Sequence, residues 1–234
     1  MTSFSDAHCH FQNHQNPDYV IMNVRTNGVG KILCNATCQN DWNNVCDVTK
    51  NYDDVWGAIG IHPWKASSAT DDWHDNLQRY LVANPKLLVG EIGLDKHHPN
   101  MDMQTDICRQ QLYLAGQMAR GACVHCVGAW DKMLHILKEI RHTLPPVIIF
   151  HRFNGNTDIV QRLLCGCNAY FSFANNPNPN IVRMIPRNRL LTESDSDNPT
   201  DVIKNAQHIA NVLNISVNDL IYDTEHNITK VLPL

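Results

Sequence analysis

Short apolar runs, the length of buried strands, alternate along this chain with longer segments whose apolar residues recur at helical spacing. The runs lie near residues 2–8, 31–36, 55–60, 87–92, 122–127, 147–151, 168–173 and 189–193. Helical spacing is clearest at 103–119 and 131–142; in the latter, Met133, Leu134, Ile136, Leu137 and Ile140 make one apolar face. The weakest helical pattern is at 15–29. Strands alternating with helices predict parallel βαβ units, and eight such units predict a closed (β/α)8 barrel of the TIM type. No linker or low-complexity tract interrupts the pattern, so residues 1–234 are expected to form one domain.

Polar residues break the apolar runs at one end. His8 and His10 follow the first run, Glu91 sits late in the fourth, His125 late in the fifth, His151 closes the sixth, and Asp195 follows the eighth. In a barrel the C-terminal strand ends converge on one face, where active sites are built. Two imidazoles at the spacing of His8 and His10 share a face of an extended chain and can clasp one cation, with Asp6 on the same face to orient a ligand. Glu91 interrupts a β-run that should be buried, so it needs a cation, a proton or a partner. A carboxylate between two metal ions meets that need. Taken singly, His125 or His151 reads as a hydrogen-bonded core histidine; together, on neighbouring strands, they can serve a second ion. Glu193, Asp195 and Asp197 alternate onto one face, and spacing does not choose among them. His62 in GIHPW could steady a substrate oxygen or be a loop residue before a proline. Arg152 could meet a substrate phosphate or pair with an acid.

Composition narrows this picture. The net charge of −4 and the lack of a basic run argue against a protein that holds nucleic acid by a broad cationic surface. Thirteen histidines, several inside apolar runs, favour metal binding or proton transfer. No apolar stretch is long enough to span a bilayer and no leader pattern opens the chain, so no membrane partner is expected. Nine cysteines then read as reduced cytoplasmic thiols. Cys123 and Cys126 have CxxC spacing but alternate across a strand, so both are expected to pack, as are Met101, Met103, Met118 and Met133. Nucleotide-binding glycine motifs and the GxSxG elbow are missing.

The segments DAHCH (6–10), GIHPW (60–64), GEIGLD (90–95), VHC (124–126), HRFNG (151–155) and TESDSDNP (192–199) together resemble the TatD-related metal-dependent deoxyribonucleases, in that family's order over nearly the whole chain. The resemblance implies a TIM-type barrel, two divalent ions (zinc, magnesium or manganese) and hydrolysis of DNA phosphodiesters. By position, His8, His10 and Asp195 would bind one ion, His125 and His151 the other, and Glu91 would bridge them. It favours Asp195 over Glu193 and Asp197, and matches His62 to a histidine lining the family's site. Two departures stand out. The family commonly has His-x-Arg-x-Ala after the fifth strand where this chain has His125-Cys126-Val127-Gly128-Ala129, and HCFSG where this chain has His151-Arg152-Phe153-Asn154-Gly155.

The expected activity is therefore divalent-metal-dependent hydrolysis, with a water between two ions ionised to hydroxide and Asp195 as general base. DNA, single-stranded or at its ends, is the expected substrate, and a monomer the expected state. Two other readings keep the barrel. One is an amidohydrolase acting on an amide or ester, although such sites often bridge their metals with a modified lysine where this chain has Glu91. The other is a metal-binding barrel without catalysis.

Overall fold

The structure is a computed structural model describing residues 2–233. Eight parallel strands run in chain order: β1 (Phe4–Cys9), β2 (Val29–Asn35), β3 (Val55–Ile59), β4 (Leu87–Asp95), β5 (Ala122–Val127), β6 (Ile148–Phe150), β7 (Ala169–Phe173) and β8 (Leu190–Thr192). All eight fall where the apolar runs predict them. Outside lie α1 (Pro17–Thr26), α2 (Trp42–Asn51), α3 (Trp73–Ala83), α4 (Met101–Gln117), α5 (Trp130–Glu139), α6 (Thr157–Gly166), α7 (Pro179–Met184), α8 (Asp201–Leu213) and α9 (Val217–Val231). The weak pattern at 15–29 does fold as helix α1, because Asn16 accepts from Tyr19 N and Pro17 opens the first turn.

Each strand sends one residue into a shared interior cluster: Ala7, Leu33, Ala58, Leu88, Cys123, Ile149, Tyr170 and Leu191. Ile228, Val231 and Leu232 close this cluster at the bottom of the barrel. The larger apolar layer lies between strands and helices, where Met133 is fully buried and Met101 and Met118 pack partly covered. Met103 departs from its expected core role, because α4 turns it outward and leaves it 45% exposed. Cys123 and Cys126 fall in different clusters, as strand alternation requires, and all nine cysteines are free thiols.

The barrel closes between its first and last strands without a regular ladder. Thr192 Oγ1 donates to Ser5 O at 3.0 Å, Ser194 N to Asp6 Oδ1 at 2.9 Å, Asp195 N to His8 O at 2.8 Å and His10 N to Ser196 O at 2.8 Å. Asp6 also accepts from His8 N at 3.2 Å. Its carboxylate therefore ties the seam, and does not reach a candidate ligand's ring as the simple alternation suggests.

The reason is a break in alternation. The pairing of β1 with β2 advances from Asp6↔Ile32 to Cys9↔Cys34, three residues against two. The β4–β5 pairing does the same, from Val89↔Ala122 to Ile92↔Val124. Such bulges re-aim a side chain toward a site. Here they allow Ala7 and then His8, and Gly90 and then Glu91, to face the barrel interior in succession. Gly90 is needed, since a Cβ there would sit 2.7 Å from Cys123 Cβ. Gly93, at φ +144°, is needed too: a Cβ there would meet His125 O at 1.8 Å. That close approach sets His125 beside Glu91.

Among the described residues no helix is long and apolar enough to cross a membrane.

Candidate metal centre

The strand ends bring His8, His10, His62, Glu91, His125, His151 and Asp195 into one buried cluster at the C-terminal mouth of the barrel. Glu91 is 3% exposed and lies at its middle. Its Oε2 is 3.2 Å from His8 Nε2 and 3.6 Å from His10 Nε2. Its Oε1 is 2.6 Å from His151 Nε2, 3.0 Å from His125 Nδ1 and 3.2 Å from His62 Nε2. The two oxygens of one carboxylate thus face two different sets of nitrogens.

Asp195 completes the first set. Its Oδ1 lies 3.8 Å from His8 Nε2 and 3.5 Å from His10 Nε2, and those two nitrogens are 3.1 Å apart. Ligand atoms about 2.0–2.1 Å from a tetrahedral ion sit about 3.4 Å from one another. The measured separations scatter around that value, so the first set fits a divalent cation. In the second set His125 Nδ1 and His151 Nε2 are 3.1 Å apart.

The hydrogen bonds behind the rings support the same fit. His10 Nδ1 donates to Asn35 O at 2.8 Å, which leaves Nε2 as the lone-pair nitrogen facing the carboxylates. A metal-binding histidine is held this way, its far N–H fixed by an acceptor. His8 Nδ1 lies 3.1 Å from Cys123 Sγ, a weak acceptor. Cys123 was expected only to pack; it also backs a candidate ligand.

The carboxylates demand positive charge. Burial, with the charge of His151 beside it, pulls His8 down to about 3 and keeps it neutral. Burial acts the same way on His10, but Asp195 and Glu91 outweigh it and raise that ring to about 10. His151 rises to about 9 against its burial because of Glu91. Burial would raise Glu91, yet the charge of His151 above all holds it well below the usual carboxylate range. A divalent cation answers the same demand, and its binding displaces protons from such rings.

Among the three acids of the TESDSD segment, the structure separates roles that spacing leaves open. Glu193 is fully buried and accepts from Arg152 N at 2.6 Å and from Ser172 Oγ, behind the cluster. Asp197 lies exposed beyond it. Asp195 reaches His8 and His10, in a left-handed backbone conformation (φ 50°), whereas Glu193 comes within 3.9 Å of the far nitrogen, Nδ1, of His151. Arg152 is also left-handed (φ 40°), and its Nη1 donates to Asp195 Oδ2 at 2.8 Å. Two non-glycine residues strained at one site are a mark of function, each costing roughly 1–3 kcal/mol.

Two residues beyond the expected set join the site, both inside motifs already singled out. Asp95, the last residue of GEIGLD, lies 3.5 Å from His125 Nε2 through Oδ2. Trp64, the last of GIHPW, donates Nε1 to the same oxygen at 2.7 Å. A cleft of about 430 Å³ opens alongside, lined by Trp64, Asp95, His125, His151, Arg152 and Phe153 among others. It is the size of a small-ligand pocket.

Known proteins are similar to this chain over most of its length. A family model described as TatD related DNase matches residues 5–233. The metal-dependent hydrolase YjjV of Escherichia coli K12 is 28% identical over 206 residues, covering 82% of this chain and 79% of that protein. The 3'-5' ssDNA/RNA exonuclease TatD of Cronobacter sakazakii is 25% identical over 188 residues, covering 76% of this chain and 71% of its own. The crystal structure of YjjV superposes with a TM-score of 0.89 at 22% identity, over 98% of this chain and 97% of that one.

Proposed function

The chain belongs to the TatD related DNase family of metal-dependent hydrolases, and we propose that it hydrolyses phosphodiester bonds of single-stranded nucleic acid with two divalent ions. One observation carries this reading: the two oxygens of Glu91 face two separate sets of histidine nitrogens. His8, His10 and Asp195 would hold one ion, His125 and His151 the other, with Glu91 between them. His62 stands near enough to Glu91 to contact a substrate oxygen or the second ion. Zinc, magnesium and manganese all suit such a donor set in part.

Ions held there would lower the pKa of attacking water toward neutrality and offset charge on the phosphate. The chain's own groups do the rest. Asp195 accepts the proton of the attacking water as its oxygen bonds to phosphorus, and returns it to the oxygen that leaves as the P–O bond breaks. Arg152 exchanges Asp195 Oδ2 for a nonbridging phosphate oxygen, which places the cation on the substrate and frees the base. Glu193 holds the strained Arg152 backbone through its N–H. Carboxylate bridging by Glu91 favours this reading over an amidohydrolase with a modified lysine, since no lysine lies in β4.

The deciding experiment is hydrolysis of a short single-stranded oligodeoxynucleotide in EDTA, Mg²⁺, Mn²⁺ or Zn²⁺, beside Asp195→Asn. Metal-dependent shortening that the variant loses by about 10²-fold or more supports the proposal. Equal activity in EDTA, or full activity of Asp195→Asn, refutes it.

A further inference from the structure

Trp64 is a large aromatic residue that is neither buried nor loose. It is 53% exposed at the lip of the cleft that holds His125, His151 and Arg152. Three contacts fix its orientation, one of them the His62 ring, which meets the indole in a T-shaped arrangement with centroids 4.9 Å apart. The indole Nε1 is bonded to Asp95 Oδ2 at 2.7 Å, and Asp95 is itself only 4% exposed and accepts from His97 N at 2.9 Å. The ring of His98 stacks on the indole, with centroids 4.4 Å apart and planes 22° from parallel. The indole centroid is 6.3 Å from that of His125.

An exposed indole ordered in advance has little rotamer freedom left to lose when a ligand arrives. The cleft therefore offers a rigid flat apolar surface close to the candidate ligand His125, and its walls also include Arg152. A ligand that suits both parts carries a planar ring on one side and an anionic phosphate on the other. We propose that Trp64, backed by His98 and anchored by Asp95, is the stacking platform for the nucleobase next to the phosphodiester held at the metal centre. The proposal rests on the nuclease reading above and adds the subsite that grips the base. Stacking uses the face every base shares, so the platform favours single strands over paired ones without choosing among bases.

The test is binding, separated from turnover by supplying Ca²⁺ as the cation. Fluorescence anisotropy would compare a labelled oligothymidylate with an abasic oligonucleotide of equal length, for wild type, Trp64→Ala and Trp64→Phe. The expected result is a wild-type preference of about tenfold for the strand with bases, lost in Trp64→Ala and largely kept in Trp64→Phe. Melting curves of both variants would confirm that they fold. A wild type indifferent to the bases, or a Trp64→Ala that keeps the preference, overturns the platform. So does equal weakening of both strands, which would assign Trp64 to holding Asp95 and His125 instead. Base preference in a protein that cleaves no phosphodiester would sustain the platform and reject the nuclease reading. Binding of neither strand rejects both.

Discussion

Arg152 and Asp195 form an ion pair across the mouth of the barrel, Nη1 to Oδ2 at 2.8 Å, while Oδ1 of the same carboxylate faces His8 and His10. The pair stores the proposed phosphate contact on the proposed base until substrate separates them. Arg152→Ala is expected to raise KM for a single-stranded substrate about tenfold or more, because a charge-assisted contact to phosphate is lost. One fewer cation should also flatten the salt dependence of binding by about 0.7 in log–log slope. Steady-state kinetics and titrations across a range of salt concentrations check both; an unchanged slope would leave Arg152 as a structural partner of Asp195 alone.

Glu91 faces both halves of the centre, so its loss should be felt in both. After dialysis, Glu91→Gln is expected to retain less metal than either His10→Ala or His125→Ala, each of which touches one half. Elemental analysis of the purified variants reads this directly. If the Glu91 variant kept as much metal as the single-histidine variants, the bridging role would be wrong.

Metal should also stabilise the fold, because the candidate ligands come from five different strand ends. Saturating a site at one hundred times its Kd adds about 2.7 kcal/mol. For a chain of this size that is roughly 5–10 °C in Tm. Thermal melts with Mn²⁺ or Zn²⁺ against EDTA should show such a rise, and His8→Ala should shrink it. Identical melting with and without metal would argue against a site built across the strands.

Asp6 gives a pH-dependent prediction away from the chemistry. Burial raises its carboxyl from the ordinary 3.8 to about 8. Folding therefore favours the protonated form, and the stability this contributes is full below about pH 4 and lost as pH rises through 8. Asparagine can accept the Ser194 and His8 N–H bonds without titrating. Asp6→Asn should match the wild type near pH 4 and become the more stable of the two by pH 9, in urea melts at each pH. Asp6→Ala, which strands two buried donors, should lose about 1–3 kcal/mol for each.

How much of this was legible in the residues follows from how each feature is encoded. The strands and most helices are written in hydrophobic period, which local sequence carries. The convergence of His8, His10, Glu91, His125, His151 and Asp195 follows from topology, since parallel strands must share one C-terminal face. The roles of Asp6 and Glu193 were not legible, because both depend on contacts with distant segments: Ser194 for one, Arg152 and Ser172 for the other. Strict alternation put Asp6 with His8 and His10, and the bulge in β1 overrode it. Nothing in the residues alone marks a bulge at Ala7–His8. At Gly90–Glu91 the glycine is a hint that acquires meaning only once Cys123 is known to lie opposite. Trp64 and Asp95 sat inside quoted motifs, yet their bond to each other joins residues far apart in the chain.

The seam between β1 and β8 has a consequence for how the protein is made. Ser194 and Asp195 bond to Asp6 and His8, so these early-made residues wait for a segment made much later, 188 residues on from Asp6 in the case of Ser194, before their ring positions are set. Contacts this distant in sequence also form late in folding. A nascent chain halted between residues 151 and 195 carries the four candidate histidines and Glu91 but not Asp195, the acid that would complete the first ion's cage and take up a proton. On the proposed mechanism the partly made chain lacks its proton acceptor, and hydrolysis becomes possible only when the ring is shut.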